Sequence, residues 1–335
     1  RPLINDGLLF LENPEGSELR LTVDSELQYR LESELENTVK TFEADHAVGV
    51  ILDARTSAVL ALASSPTFDV NKPAKVAPEF RRNKIVTDAF EPGSTMKTLV
   101  IAAALNRGLI KPNTKFYCEK GVFRIGDRVI REAESKEKFE DLTVAEILAV
   151  SSNVGTTKIA FKMGPEALRQ GLLDFGFGQK TGVEFPGEAK GSVLPLPWRQ
   201  HLLSNISFGH GISATPLQIA NAYAAIANGG VLNTPYIVQS IRDSETGEVV
   251  ETPVKPLRRV LSSEQAAQMR AMLLGVTTQG GTATNARVEG FMVGGKTGTA
   301  QKVNPHGRGY LKGAYISSFA GFIPANDPRF VIYVA

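Results

Sequence analysis

The sequence is poor in the residues from which metal sites and disulfide frameworks are built. Its four histidines stand singly at positions 46, 201, 210 and 306, and Cys118 is the sole cysteine among 335 residues. No pair of these has the spacing of a zinc site, so neither a metal nor a cofactor is expected, and a single cysteine is compatible with an oxidising compartment. Charge of one sign is equally scarce. With 37 Lys and Arg against 35 Asp and Glu, the net charge is only +2, and no run of like charges offers a footing for nucleic acid or an acidic tail. Long apolar runs are missing too: the most apolar stretch, Leu99 to Leu105, is far short of the ~18 residues of a membrane span. What remains, 42% hydrophobic and 21% charged residues, is the composition of an ordinary globular protein with a sizeable core. The sequence opens at Arg1 without a methionine and stops inside an apolar run. It therefore reads as a portion of a longer protein, from which an anchor or signal could have been removed.

Three stretches are unusual. In Glu91 to Ile110, Pro92 and Gly93 make a turn and the following residues carry almost no polar side chain, which predicts a helix buried on nearly every side and closed by Gly108. Ser94 falls on its first turn, near the positive end of the helix dipole, and Lys97 lies on the same face one turn deeper. Taken alone, this pair is a capping serine with a lysine snorkelling outward. Ser151-Ser152-Asn153 interrupts an apolar pattern between a helix capped by Thr143 and another running from about Val154 to Met163. Such residues are ordinarily caps and turn formers. Lys296-Thr297-Gly298-Thr299 is, in isolation, an edge strand guarded by a lysine. All three in one chain, in the order SxxK, SxN, KTG, form the set used by penicillin-recognising serine enzymes.

Around these, Asp24 caps a helix striped by Leu27, Leu31, Leu35, Val39 and Phe42. Ala47–Leu52 and Ala58–Ala63 form a hairpin about Asp53-Ala54-Arg55-Thr56-Ser57. Turn material stands at Asn13 to Gly16, and a charged loop at Gly126 to Asp141. Helices are expected at Thr215–Ile226 and, with a Ser262/Gln265 capping box, at Ser262–Leu274. A small hairpin flanks Asp243 to Gly247, and strands at Phe291–Thr299, Ala314–Ile323 and Phe330–Val334 end the chain. Hairpins at both ends around a helical middle imply one antiparallel sheet built from both ends and covered by helices, the motif helix among them.

The sequence resembles the class B penicillin-binding transpeptidases. Arg20-Leu21-Thr22-Val23-Asp24, Phe90 to Ser94, Thr181-Gly182-Val183 with Pro186-Gly187-Glu188, Thr215-Pro216-Leu217-Gln218 with Ala227 to Gly230, and Gly294 to Gln301 all look like that family. The likeness covers almost the whole chain. Ser151 to Gly155 and Ser207 to Gly211 are most similar to its septal branch. Thr98, where a proline is common, and Ser57, where the hairpin turn usually has glycine, depart from the pattern away from the chemistry.

The resemblance implies an α+β transpeptidase and serine beta-lactamase-like fold: a five-stranded antiparallel sheet flanked by helices, with an inserted all-helical subdomain. Residues 1–335 would be a single transpeptidase domain, its sheet subdomain at about 17–90 and 230–335 and its mainly helical subdomain at about 91–229. It implies Ser94 as the nucleophile on the D-Ala-D-Ala bond of peptidoglycan stem peptides, and Lys97 as general base. Ser151 would relay a proton, and Asn153 would orient the substrate amide and the lysine. The backbone amides of Ser94 and Thr299 would form the oxyanion hole, and Lys296, Thr297 and Thr299, with Gly298 allowing close approach, would bind the terminal carboxylate. Beta-lactams would acylate Ser94. With no E-x-x-L-N stretch after the SxN motif, a long-lived acyl-enzyme is expected rather than a beta-lactamase. Lys97 would be almost wholly protonated at pH 7 at an ordinary pKa near 10.4, so the site must lower it by about 3, or roughly 4 kcal/mol. Burial would do this, with Lys296 adding repulsion. Expected partners are stem peptides, beta-lactams and membrane proteins of the division complex including a glycan polymerase; the expected place is the outer face of the bacterial inner membrane.

Two rivals are carried. A Ser-His-Asp hydrolase would use His210, yet no G-x-S-x-G elbow exists. A beta-lactam sensor or noncatalytic division scaffold would use the same pocket for binding only.

Overall fold

The structure, a computed structural model, describes residues 16–335 apart from 73–75, 135, 305, 306 and 308. The turn expected at Asn13 to Gly16 falls almost wholly outside these residues, as does His306.

The chain enters through β1 (Glu18–Leu21) and α1 (Ser25–Thr41), whose cap Asp24 accepts the N–H groups of Glu26 and Leu27. The hairpin of β2 (Ala47–Asp53) and β3 (Val59–Ser65) follows as its apolar periodicity requires. β2 is buried at six consecutive residues, the signature of a strand covered on both faces. On one face Leu31 and Leu35 of α1 pack with Ala47, Ile51 and Ala61; on the other, Val48, Val50 and Leu52 join the main core. In the connecting turn, the Asp53 carboxylate accepts the N–H groups of Arg55 and Thr56. Ser57 there has φ +63°, which explains why the family favours glycine at this point.

A one-turn helix, α2 (Lys84–Thr87), leads to the turn Gly93–Thr95 and α3 (Met96–Asn106), every residue of which from Met96 to Leu105 is buried. The next segment is not helical throughout. Two short strand pairs interrupt it, β4 (Lys115–Tyr117) with β7 (Asp141–Thr143) and β5 (Val122–Ile125) with β6 (Arg128–Arg131), so the expected charged loop is partly a hairpin. Helices α4 (Val144–Ala149), α5 (Asn153–Met163), α6 (Pro165–Asp174) and α7 (Gln200–Ser207) then gather around α3. Helix α8 (Pro216–Ala227), buried along its entire length, lies against the sheet.

The chain returns through β8 (Val231–Asn233), β9 (Val238–Arg242), β10 (Val249–Glu251) and β11 (Pro256–Arg259) to α9 (Ser263–Thr277), which has the expected Ser262/Gln265 capping box. The last strands, β12 (Gly294–Val303), β13 (Tyr310–Ile323) and β14 (Phe330–Val334), complete a five-stranded antiparallel sheet of order β12-β13-β14-β2-β3. Both ends of the chain do build one sheet. The motif helix, however, is not its cover. α1 covers one face and α8 and α9 the other, while α3 packs among helices and meets the sheet through its N-terminal turn, which rests on β12. That turn is where the site lies.

Candidate active site

Helix α3 delivers Lys97 into the interior because the surrounding face offers nowhere else to put it: the residue is 0% exposed. Its Nζ donates to the carbonyl of Ser151, to Ser151 Oγ at 3.1 Å and to Asn153 Oδ1 at 2.7 Å. Ser151 presents both of its oxygens to the lysine from a left-handed backbone, φ +61°, a conformation that a non-glycine residue holds only where its surroundings enforce it. Ser152 is the cap of α5, accepting the N–H of Gly155 at 2.9 Å. The capping account of this tripeptide thus holds for Ser152, while Ser151 and Asn153 turn toward Lys97.

Ser94 sits half-buried one turn before Lys97. A Cβ on Gly93 would lie 2.6 Å from the carbonyl oxygen of Thr299 and 3.2 Å from its nitrogen, so only glycine, here at φ +57°, permits this approach. Gly298 is equally constrained, its missing Cβ lying 2.9 Å from Thr95 Cγ2 and 3.0 Å from the Pro92 carbonyl. The turn that leads into α3 and β12 are thus pressed together, Gly93 against Thr299 and Pro92 and Thr95 against Gly298. Lys296 is 0% exposed, and its Nζ donates to the Thr297 carbonyl at 3.1 Å and, more weakly, to Thr297 Oγ1 at 3.4 Å. The Thr297 hydroxyl also pairs with that of Thr282 at 3.1 Å, and Thr299 is exposed.

Electrostatics follow burial. Desolvation holds Lys97 down to about 7, against the opposing charges of Glu132 and Glu137. Lys296 is lowered well below the ordinary lysine value, first by burial and then by repulsion from Lys97. The repulsion expected between the two lysines thus falls on Lys296, while Lys97 is governed by desolvation.

Ser151 and Asn153 thus meet at Lys97, and the turn that carries Ser94 lies against Gly298 and Thr299 of β12, with Lys296 and Thr297 just before them on that strand. One that was not singled out joins them. Glu132, 7% exposed, accepts the Ser152 hydroxyl at 2.6 Å and the N–H of Asn153 at 2.5 Å. It sits in the charged stretch among Asp127, Glu134, Glu137 and Glu140, and only the apolar pair Val129-Ile130 before it hinted at a strand turning inward. His210 packs beside Phe208 and Tyr310, with ring centroids 5.5 and 5.9 Å away, on the loop whose Gly209 carbonyl accepts the N–H of Gly93 at 3.2 Å. Among the described residues no cluster of His, Cys, Asp and Glu could hold a metal, and no helix is long and apolar enough to cross a membrane.

Residues 47–335 match the family described as penicillin binding protein transpeptidase domain. The chain belongs to this family. It is 37% identical to Stage V sporulation protein D of Bacillus subtilis over 96% of its own length and 50% of that protein's. It is 35% identical to the probable peptidoglycan D,D-transpeptidase PenA of Neisseria meningitidis, over 95% of the chain and 52% of the relative. The chain thus spans about half the length of the curated relatives it matches. Its fold follows that of penicillin-binding protein 3 from Mycobacterium tuberculosis complexed with aztreonam, with a TM-score of 0.89, 34% identity, and coverage of 96% of this chain and 72% of that one. The five-stranded antiparallel sheet with helices on its faces is the transpeptidase fold of that family.

Proposed function

We propose that this domain is a serine D,D-transpeptidase that crosslinks peptidoglycan through an acyl-enzyme on Ser94. The observation that carries this reading is the bonding of Lys97. Two of its three partners, the Ser151 carbonyl and Asn153 Oδ1, can only accept. A neutral amine has two N–H groups for these two acceptors, and its lone pair is then left for a hydroxyl proton from Ser151 or Ser94. An amine held at about 7 is in this state for much of the population at neutral pH.

In the proposed sequence, Lys97 takes the proton of Ser94 as Oγ attacks the carbonyl of the penultimate D-alanine. The N–H groups of Ser94 and Thr299 stabilise the resulting oxyanion, and Lys296, Thr297 and Thr299 hold the terminal carboxylate of the substrate. The ammonium of Lys97 returns its proton through Ser151 Oγ to the departing nitrogen, the C–N bond breaks, D-alanine leaves, and an ester to Ser94 remains. The amine of a second stem peptide attacks this ester, gives up a proton along the reverse path and releases Ser94. A beta-lactam enters the same first step, but its leaving group stays tethered, so the ester persists. The likeness of Ser151 to Gly155 and Ser207 to Gly211 to the septal branch supports a role in division, on the outer face of the inner membrane, beside a glycan polymerase and other division proteins.

Mass spectrometry of the protein treated with penicillin should place one adduct, on the peptide that contains Ser94. Release of D-alanine from a donor peptide should vanish in Ser94→Ala; equal release by both proteins ends the transpeptidase reading, and adduct formation without release leaves a sensor. Incorporation of an added amine separates crosslinking from simple hydrolysis.

A further inference from the structure

Glu132 is the one carboxylate buried behind the amine-binding tripeptide among the described residues, and no motif places it there. It stands at the end of β6 and reaches two donors at once, Ser152 Oγ at 2.6 Å and the Asn153 N–H at 2.5 Å. Its neighbour Arg131 holds the side chain of the same residue, Asn153 Nδ2 donating to the Arg131 carbonyl at 2.8 Å. The end of β6 therefore grips Asn153 by backbone and by carboxamide. The amide has one orientation left, with Oδ1 toward Lys97 Nζ at 2.7 Å. Ser152 is pinned in turn by its cap bond to Gly155 and by contact with Cys118 Sγ at 3.8 Å. A carboxylate suits this place because both groups facing it donate, whereas a carboxamide must turn its own N–H groups toward one of them.

We propose that Glu132 is a positioning residue for the catalytic amine, fixing Ser152 and Asn153 so that Asn153 holds Lys97 in the orientation and charge state that the acylation of Ser94 requires. This rests on the transpeptidase reading above. The hairpin of β5 and β6 then has a function that its sequence does not advertise: it is the brace behind the lysine. Charge adds to geometry. The charges that bear on Lys97 are Glu132, at the end of β6, and Glu137 from the loop after it; Lys97 in turn bears on Glu132, on Lys296 of β12 and on His210 of the loop beneath Gly93, and Glu132 bears also on Cys118. Of these, Glu132 opposes the desolvation of Lys97 most strongly, and so keeps the amine from becoming too weak a base.

The two contributions separate in two variants. Glu132→Gln keeps the reach of the side chain and removes its charge, so the acid limb of penicillin acylation should move to lower pH by about 1 unit. Glu132→Asp keeps the charge and loses the reach, so the limb should stay near its wild-type position while the acylation rate falls by about tenfold or more. The pH dependence of the rate, followed as adduct mass on the intact protein, reads both. A Glu132→Gln profile that superimposes on wild type, in a protein with an unchanged unfolding transition, overturns the proposal. A second readout does not depend on acylation: the side-chain carbons of Lys97, labelled in lysine, titrate directly by NMR, and the midpoint should fall in Glu132→Gln. If wild type forms no adduct at Ser94, the transpeptidase reading fails, and an unmoved lysine midpoint then disproves the role of Glu132 separately.

Discussion

On the helical wall of the site Lys97 lies among three acceptors, and the residue that supplies one of them, Asn153, is itself held by Arg131 and Glu132. On the strand wall Lys296 is equally buried, yet the acceptors its amine finds are the carbonyl and the hydroxyl of its own neighbour Thr297. On the proposed reading, the difference separates two kinds of chemistry. A group that moves protons must be complete before the substrate arrives, because reorganising it during the reaction would raise the barrier. A group that binds an anion gains by being poorly partnered, because the incoming carboxylate then supplies interactions that the folded protein lacks. The proposed anion-binding role falls to β12, the outer strand of the sheet, on which the turn before α3 rests at Gly93 and Thr299.

The largest test of this contrast is Lys97→Met. If the helical wall carries the proton chemistry, acylation of Ser94 by penicillin should fall by about 10²–10⁴. In wild type the rate should rise with pH and reach half its plateau near 7, since burial holds Lys97 at about 7 and only the neutral amine can take a proton. A loss below tenfold, or a rate independent of pH between 5 and 9, would move the base elsewhere.

Lys296→Met tests the other wall and should act in the opposite direction on stability. A buried lysine with weak partners costs the fold, so an apolar side chain of similar length should stabilise the protein by about 1–2 kcal/mol. The folded pKa lies below the unfolded value near 10.4, so the unfolded chain binds the extra proton. The advantage of methionine should therefore grow as pH falls below the unfolded value and disappear as pH approaches 10.5, which urea unfolding at several pH values reads directly. Binding of a carboxylate-bearing donor peptide should weaken in the same variant. A destabilised Lys296→Met would mean that this wall is as well satisfied as the other.

Most of the sheet was legible from residues alone, because short apolar strand runs at both ends of the chain cannot stand as isolated hairpins. The candidate site was legible because SxxK, SxN and KTG are local strings. Two things were hidden for one reason, that they depend on packing between distant segments. Helix α3 is apolar on every side, so its sequence could not say which neighbours surround it; helices do, rather than the sheet. Glu132 lies in a stretch where acids are common, and what distinguishes it is a hairpin that folds one of them inward onto Asn153.

His210→Phe is the smallest expected effect and closes the contrast from the side. The histidine is the best-placed imidazole for a rival mechanism, since its loop bonds Gly93 directly. It belongs to neither wall, however: it packs edge-on against Phe208 and Tyr310, a setting that a phenyl ring fills equally well. Acylation should stay within about twofold of wild type, a barrier change of about 0.4 kcal/mol. Burial chiefly lowers the pKa of His210 below 6.5, so below that value the unfolded chain takes up a proton that the folded one refuses, and the native protein loses stability as pH falls. Phenylalanine removes this linkage. The variant should therefore resist acid unfolding slightly better than wild type between pH 6.5 and 5 while acylating at the same rate. Abolished acylation in a folded His210→Phe protein would instead make the imidazole the base and leave Lys97 a structural amine.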